Sequence, residues 1–317
     1  MKKYFTLLLT TLMLSSMSYA QYYSTVTSRA RHYLNLSVGA GISENMSVTE
    51  LVSNKVGGTG QFQFTYEMDK KSFFFQFGVG VDYLYTGQGL AEMTDQYERN
   101  DKDGEPILYR YVYSDYKEAQ HNILVTIPVM FGFHFATYGY VSAGAKVGLP
   151  VYGHYKTTTD MFTEGEYLRF VQPISKNVPA YGFYPRGEYS YSGDFDRSGI
   201  FVSPVFEIGG RFRIKKKIDC RLGLFAEYAL PIGGSNYKVN LIDLNQVDIN
   251  PVSQNQKNLE ENIRFNSILT SHFNTTVLNH EGENLLDRAS QYLQIGVRAT
   301  FRFDVTIPPY ICVLCYD

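Results

Sequence analysis

The stretch Ile200–Leu230, IFVSPVFEIGGRFRIKKKIDCRLGLFAEYAL, decides how this chain folds. Read two residues at a time, Ile200, Val202, Pro204, Phe206, Ile208, Gly210, Phe212 and Ile214 make one face. Ser203, Glu207, Arg211 and Arg213 lie among the residues of the other. Past Lys215-Lys216-Lys217-Ile218-Asp219, Leu222, Leu224, Ala226, Tyr228 and Leu230 alternate with Arg221, Phe225 and Glu227. A period of two belongs to a strand whose faces meet different media. Each run is about 11–15 residues, longer than the roughly 5–6 of a soluble strand and enough to cross a bilayer at a tilt. One apolar face, one charged face and a tight basic turn predict a hairpin of a membrane β-barrel.

The same pattern recurs on both sides of that hairpin. A first strand is expected over about Tyr33–Gly41 and a second over Gly58–Met68, where Phe62, Phe64 and Tyr66 oppose Gln61, Gln63, Thr65 and Glu67. Asp69-Lys70-Lys71 turns into a third, Ser72–Tyr85. A fourth, Gln120–Phe135, is joined by Ala136-Thr137 to a fifth, Tyr138–Tyr155. The opening hairpin supplies two more, and Tyr292–Phe303 is the eighth. Three connections are a few residues each, while Ile42–Gly57, Thr86–Ala119, Lys156–Ser198 and Ile232–Gln291 are long. Loops sorted by length in this way predict an all-β, eight-stranded antiparallel up-and-down transmembrane β-barrel, with short periplasmic turns and long extracellular loops. Within the second long loop, Asp101-Lys102-Asp103-Gly104 reads as the turn of a rising hairpin. The fourth carries a weak helical pattern at Leu259, Ile263 and Phe273.

Composition fits that architecture. The 317 residues hold 27 Tyr, 22 Phe and no Trp, with a net charge of −2. Charge so nearly balanced gives nucleic acid nothing to recognise. Residues 1–20, MKKYFTLLLTTLMLSSMSYA, have the basic start, apolar middle and small-x-small end of a cleaved secretory signal. The mature chain is expected to comprise a barrel over residues 21–303 and a periplasmic tail over 304–317. No later run approaches the roughly 18 apolar residues of a transmembrane helix.

The pieces NILVTIPVMFGF (Asn122–Phe133), YVSAGAKVGLPV (Tyr140–Val151) and YLQIGVRATFRF (Tyr292–Phe303) resemble small outer-membrane β-barrels of the OmpA-like and PorT-like type. The resemblance spans the mature chain as a pattern. It implies location in the cell outer membrane, contact with its lipid, and insertion by the outer-membrane assembly machinery. Family barrels often end on an aromatic residue; here the equivalent, Phe303, is followed by DVTIPPYICVLCYD.

Chemistry, if present, belongs first to the interior. Lys146, Glu207, Glu227 and Arg298 fall five to seven residues from the short turns on neighbouring strands, a candidate lumen charge network. Glu67, Arg211, Arg213, Arg221 and Arg302 form a more basic layer nearer the periplasmic end. Eight strands leave a lumen about wide enough for side chains to fill. Two readings follow: a salt-bridged plug, or a narrow gated pore for ions or small solutes, selective for anions where arginine lines it. The six His show no nucleophile–base pattern, so no enzyme activity and no catalytic residue is expected. Asn100, Asp101, Asp103 and Glu105 do not match the spacing of a calcium loop, so no metal and no cofactor is expected. Cys220, Cys312 and Cys315 lie on one side, where an oxidising compartment permits a disulfide. The leading expectation is a monomeric, non-enzymatic barrel with an envelope-structural role or an unidentified surface ligand held by its long loops. A soluble periplasmic barrel around an apolar ligand is the third.

Overall fold

A computed structural model describes residues 30–46, 52–100, 105–135, 138–169, 175–176, 186–194, 199–215, 217–233, 236–240, 274–279, 282–289 and 291–306. These residues form thirteen strands: β1 (Arg31–Met46), β2 (Val52–Lys70), β3 (Phe73–Asn100), β4 (Pro106–Phe135), β5 (Gly139–Tyr167), β6 (Ser175–Lys176), β7 (Gly187–Asp194), β8 (Ile200–Lys215), β9 (Ile218–Ile232), β10 (Asn236–Asn240), β11 (Asn274–Leu278), β12 (Asn284–Ala289) and β13 (Gln291–Asp304). Eight of them pair antiparallel in the order β4-β3-β2-β1-β13-β9-β8-β5, and β5 pairs with β4 to close the ring. Closure leaves no open edge around the ring, which removes the unpaired backbone groups that an edge strand presents. Strands β6 and β7 add to β5, and β10, β11 and β12 make a separate three-stranded sheet.

Period-two patterning sorts the side chains. On β3, Phe73, Phe77, Val79, Val81, Tyr83 and Tyr85 point outward and stay exposed, while Asp82, Leu84, Thr86 and Gln88 are buried. On β9, Leu222 and Leu224 are exposed while Arg221, Phe225 and Glu227 are buried. Soluble proteins keep charges out and oil in. This ring does the reverse.

The sequence expectation and the structure differ most at the long-loop end. The predicted loop Thr86–Ala119 is mostly strand, because β3 and β4 pair without an end until Asn100 meets Pro106. Likewise β5 runs on to Tyr167 against β4, with β7 alongside it. A strand of 30 residues such as β4 spans about 100 Å, so the hairpin rises far above the ring. Its predicted turn, residues 101–104, lies outside the described residues, as do the signal segment 1–20, Leu259, Ile263, Phe273, Cys312 and Cys315. A bulge at Asp115, whose φ is 51°, divides β4 in two. Below it Tyr116, Glu118, Gln120 and Asn122 are buried; above it Ile107, Tyr109, Tyr111 and Tyr113 are. One extra residue thus swaps which parity faces inward. The upper set forms an apolar core with Val52, Leu90 and Met161, joined by Val239, Val277 and Leu286 from the small sheet.

Candidate functional site in the interior of the ring

Two layers of charge cross the interior. In the layer nearer the short turns, Glu67 is fully buried and accepts four hydrogen bonds. Arg221 binds both its oxygens, at 2.7 Å and 2.9 Å. Arg302 donates to its Oε1 at 2.5 Å, and Asn35 to its Oε2 at 2.9 Å. Arg302 also reaches Asp69 at 3.0 Å and lies 3.7 Å from Asp219. Each guanidinium lies against aromatic rings, one for Arg302 and two for Arg221: Arg302 sits 3.9 Å from the Tyr33 centroid, Arg221 4.0 Å from that of Phe74 and 5.1 Å from that of Tyr140. Such stacking suits guanidinium, which is planar and weakly hydrated, better than ammonium. Phe74 fits because residue 132 is glycine: a Cβ there would lie 1.9 Å from the ring. His134 Nε2 lies 3.2 Å from both Asp69 and Arg221. Since a guanidinium only donates, that nitrogen can serve one neighbour at a time.

The deeper layer is a chain of contacts from wall to wall. Lys146 lies between Asp82 at 2.6 Å and Glu227 at 2.5 Å. Gln61 donates to Glu227 at 3.2 Å and accepts from Arg298 at 2.5 Å. Arg298 continues to Glu207 at 2.6 Å, whose other oxygen accepts from Tyr140 at 2.5 Å. Among the described residues each layer sets three carboxylates against two buried cations: Glu67, Asp69 and Asp219 with Arg221 and Arg302 (the exposed Arg213 also lies 3.6 Å from Asp219), then Asp82, Glu207 and Glu227 with Lys146 and Arg298. Neutral donors make up part of the deficit: Asn35, Gln61 and Tyr140 each give a hydrogen bond to a carboxylate. Buried charges persist only when paired and hydrogen-bonded in this way.

Lys146, Glu207, Glu227 and Arg298 therefore share one layer, as two pairs joined through Gln61 rather than as a direct quartet. Glu67, Arg221 and Arg302 share the other. Arg211 and Arg213 need correction. Arg211 is half-buried, and Arg213 is 68% exposed, 3.6 Å from Asp219. The neighbouring wall explains this: β5 begins at Gly139, opposite Gly210, so β8 beyond that point has only β9 beside it and encloses nothing. Cys220 lies on the outer face, half-exposed, and has no disulfide partner among the described residues. Sequence reading missed Asp82, Gln61, Asp69, Asp219 and Tyr140 as members. Asp82 and Gln61 had the signal, polar residues on the inward face, but their partners are across the lumen rather than on the next strand.

Above these layers Leu84, Leu124, Phe201, Ala229 and Tyr292 close the interior with apolar side chains. Between them, a cavity beside Tyr140, Glu207, Arg221 and Arg298 leaves about 10 Å³ for the centre of a water molecule. That is room for about one water.

No family model matches this chain. No curated protein sequence matches it either. Among solved structures it is similar to two of Ail, the attachment invasion locus protein of Yersinia pestis, one of them in complex with the heparin analogue sucrose octasulfate. Each covers 86% of this chain and 99% of that chain at 9% identity, with TM-scores of 0.27 and 0.25. A superposition this loose says nothing of what this chain binds.

Proposed function

We propose that the ring is an outer-membrane β-barrel of the small OmpA-like and PorT-like type, closed to solutes, whose tall extracellular extension is a binding surface. One observation carries the reading: the outside of the ring is apolar and the inside is ionic. Phe62, Phe64, Phe77, Val79, Ile127, Val129, Ile208, Leu222, Leu224, Ile295 and Val297 are all exposed. In water this surface would be an aggregation hazard far beyond the patches tolerated by soluble monomers. In lipid it is the expected face. On β3 the outward row from Phe73 to Tyr85 runs about 40 Å along the strand. At a tilt of about 40° that covers about 30 Å of axis, enough for an apolar band with an aromatic residue at each end.

The filled interior weighs against the pore. Two charge layers and an apolar seal lie in series, and the cavity between them holds about one water. The short turns belong on the periplasmic side, because the long β3–β4 and β5 extension has a place only beyond the outer surface. The role is non-enzymatic: recognition through the extension and the small sheet, by a monomer, of a surface partner. Tag-free protein folded into detergent micelles should migrate faster on a gel when unboiled, and should give no conductance steps in planar bilayers. Reproducible steps would overturn the closed lumen. Recovery as a stable monomer without detergent would overturn the membrane location.

A further inference from the structure

At the level of Tyr85, one row crosses four strands in register. Tyr85 on β3 pairs with His121 on β4, His121 with His154 on β5, and His154 with Asp194 on β7. The two imidazoles are therefore cross-strand neighbours, with ring centroids 6.5 Å apart and planes at 43°. Each has its δ nitrogen engaged. His121 Nδ1 lies 2.6 Å from the Tyr83 hydroxyl, and His154 Nδ1 lies 2.7 Å from an Asp194 carboxylate oxygen. Tyr152 stacks parallel to His154, and Tyr85 packs 4.9 Å from His121. Among the described residues neither Nε2 has a partner, and His154 remains 35% exposed.

We propose that His121 and His154 form a two-histidine site for a divalent transition-metal ion of the zinc or copper(II) class. An imidazole ligates as the neutral ring, through the nitrogen left free when the other donates its proton to an oxygen. The Asp194 carboxylate only accepts, and the Tyr83 hydroxyl can accept from His121 Nδ1; in that tautomer both rings offer Nε2. Two imidazoles on one tetrahedral metal, with metal–nitrogen bonds of about 2.0–2.1 Å, have centroids roughly 5 Å apart. The pair closes by about 1–1.5 Å through side-chain rotation, open to it because both rings lie on the surface. Water completes the coordination, since among the described residues no three His, Cys, Asp or Glu are placed to hold one metal ion together. Nitrogen ligands favour copper(II) over zinc, and zinc over calcium or magnesium. The calcium-type spacing sought near Asn100–Glu105 is a different question. This pair lies 33 positions apart, and only strand register joins it.

The test is titration of tag-free, full-length protein in micelles at neutral pH with zinc chloride, read by calorimetry, and with copper(II) chloride, read by electron paramagnetic resonance. The expected result is one zinc per chain and a copper spectrum with two equatorial imidazole nitrogens. His121→Ala and His154→Ala should each weaken zinc at least tenfold, and Asp194→Asn should weaken it about tenfold, with the unboiled gel shift retained in all three. Zinc binding unchanged in the His121→Ala/His154→Ala double variant would overturn the assignment by placing the metal elsewhere. So would a wild-type chain that shows the gel shift and binds neither ion.

Discussion

Replacing Glu67 by Gln removes one charge from the most densely bonded carboxylate in the molecule and leaves its shape nearly unchanged. Glu67 is fully buried, and its oxygens take three donors from Arg221 and Arg302 and one from Asn35. Arg302 keeps carboxylates at Asp69 and Asp219. Arg221, 2% exposed, loses the one salt-bridge partner it has among the described residues. Breaking a buried pair from one side costs about 3–5 kcal/mol, a hundredfold or more in the folding equilibrium at about 1.4 kcal/mol per decade. Arg213→Gln is the matched control. Its guanidinium is mostly solvated and its contact with Asp219 is long, so removing it should cost at most about 1 kcal/mol. The chain has no Trp, so unfolding in urea is best followed by far-UV circular dichroism in micelles, with the unboiled gel shift as a second probe. Adding Arg221→Met to Glu67→Gln should recover part of the loss, because the stranded cation is then gone; a coupling of at least about 1 kcal/mol is expected. If Glu67→Gln costs no more than Arg213→Gln, the charge layer nearer the short turns does not hold the wall together and the account of the lumen fails.

Three further substitutions probe other parts of the argument. Gly132→Ala places a Cβ 1.9 Å from the Phe74 ring and should cost about 1–3 kcal/mol by overpacking; Phe74→Leu in the same chain should relieve most of it, and additive losses in urea melts would contradict the packing. Leu224→Arg, on the outer face at a position 59% exposed, should cost about 2–4 kcal/mol in lipid vesicles if that face meets the bilayer. A neutral effect there would mean water outside the ring. In the small sheet, hydrogen bonds from Thr276 and then Asn284 hold the Asp287 carboxyl below its ordinary value of 3.8. A depressed folded value stabilises the sheet above the unfolded value, and that contribution is lost as pH falls through the lowered one. Thr276→Val should bring the Asp287 titration, followed by carboxyl NMR, back up toward the ordinary value; an unmoved titration would show that Thr276 is not the cause.

The ring was legible because its outer face is strict. Phe73, Phe77, Val79, Val81 and Tyr83 obey the period without a break, and so do Ile127, Val129 and Phe131, since every outward residue of the band is exposed to the same medium. Of the extension, the rising hairpin was legible from its turn at residues 101–104, but the strands that carry it up from the ring were not, for a local reason. At Asp115 a single left-handed residue makes a bulge, and from there upward the inward positions change from even to odd. A reader counting by twos through Tyr109, Tyr111, Tyr113 and Tyr116 finds the pattern broken and reads a loop. The charge layers were half legible. Glu207, Glu227, Arg221 and Arg298 follow from depth and parity alone, but Gln61 and Asp82 become members only through strands across the lumen, and that reach depends on tilt and stagger. Arg213 misled for the opposite reason: its parity is inward, but the wall that would enclose it ends at Gly139.

This division of labour bears on how the wall finds its register. A slip of one residue turns every apolar side chain of a strand inward, and the outer face alone forbids it. A slip of two restores the facing, and for a strand such as β3, with Val79 and Val81 interchangeable in size, the outer face barely distinguishes the outcomes. What distinguishes them is inside. Moving β2 by two residues one way brings Thr65 to the level of Glu67 and leaves Arg221 on β9 without its carboxylate; the other way it brings Asp69, one methylene shorter, to that level and Lys71 to the level where Asp69 meets Arg302 on β13. Moving β5 by two takes Lys146 away from both Asp82 on β3 and Glu227 on β9. Each of these contacts joins strands that are not hydrogen-bonded neighbours, so each ties the register of one hairpin to that of another. The apolar outside therefore selects which face of each strand turns outward, and the ionic inside selects which residue sits at which height.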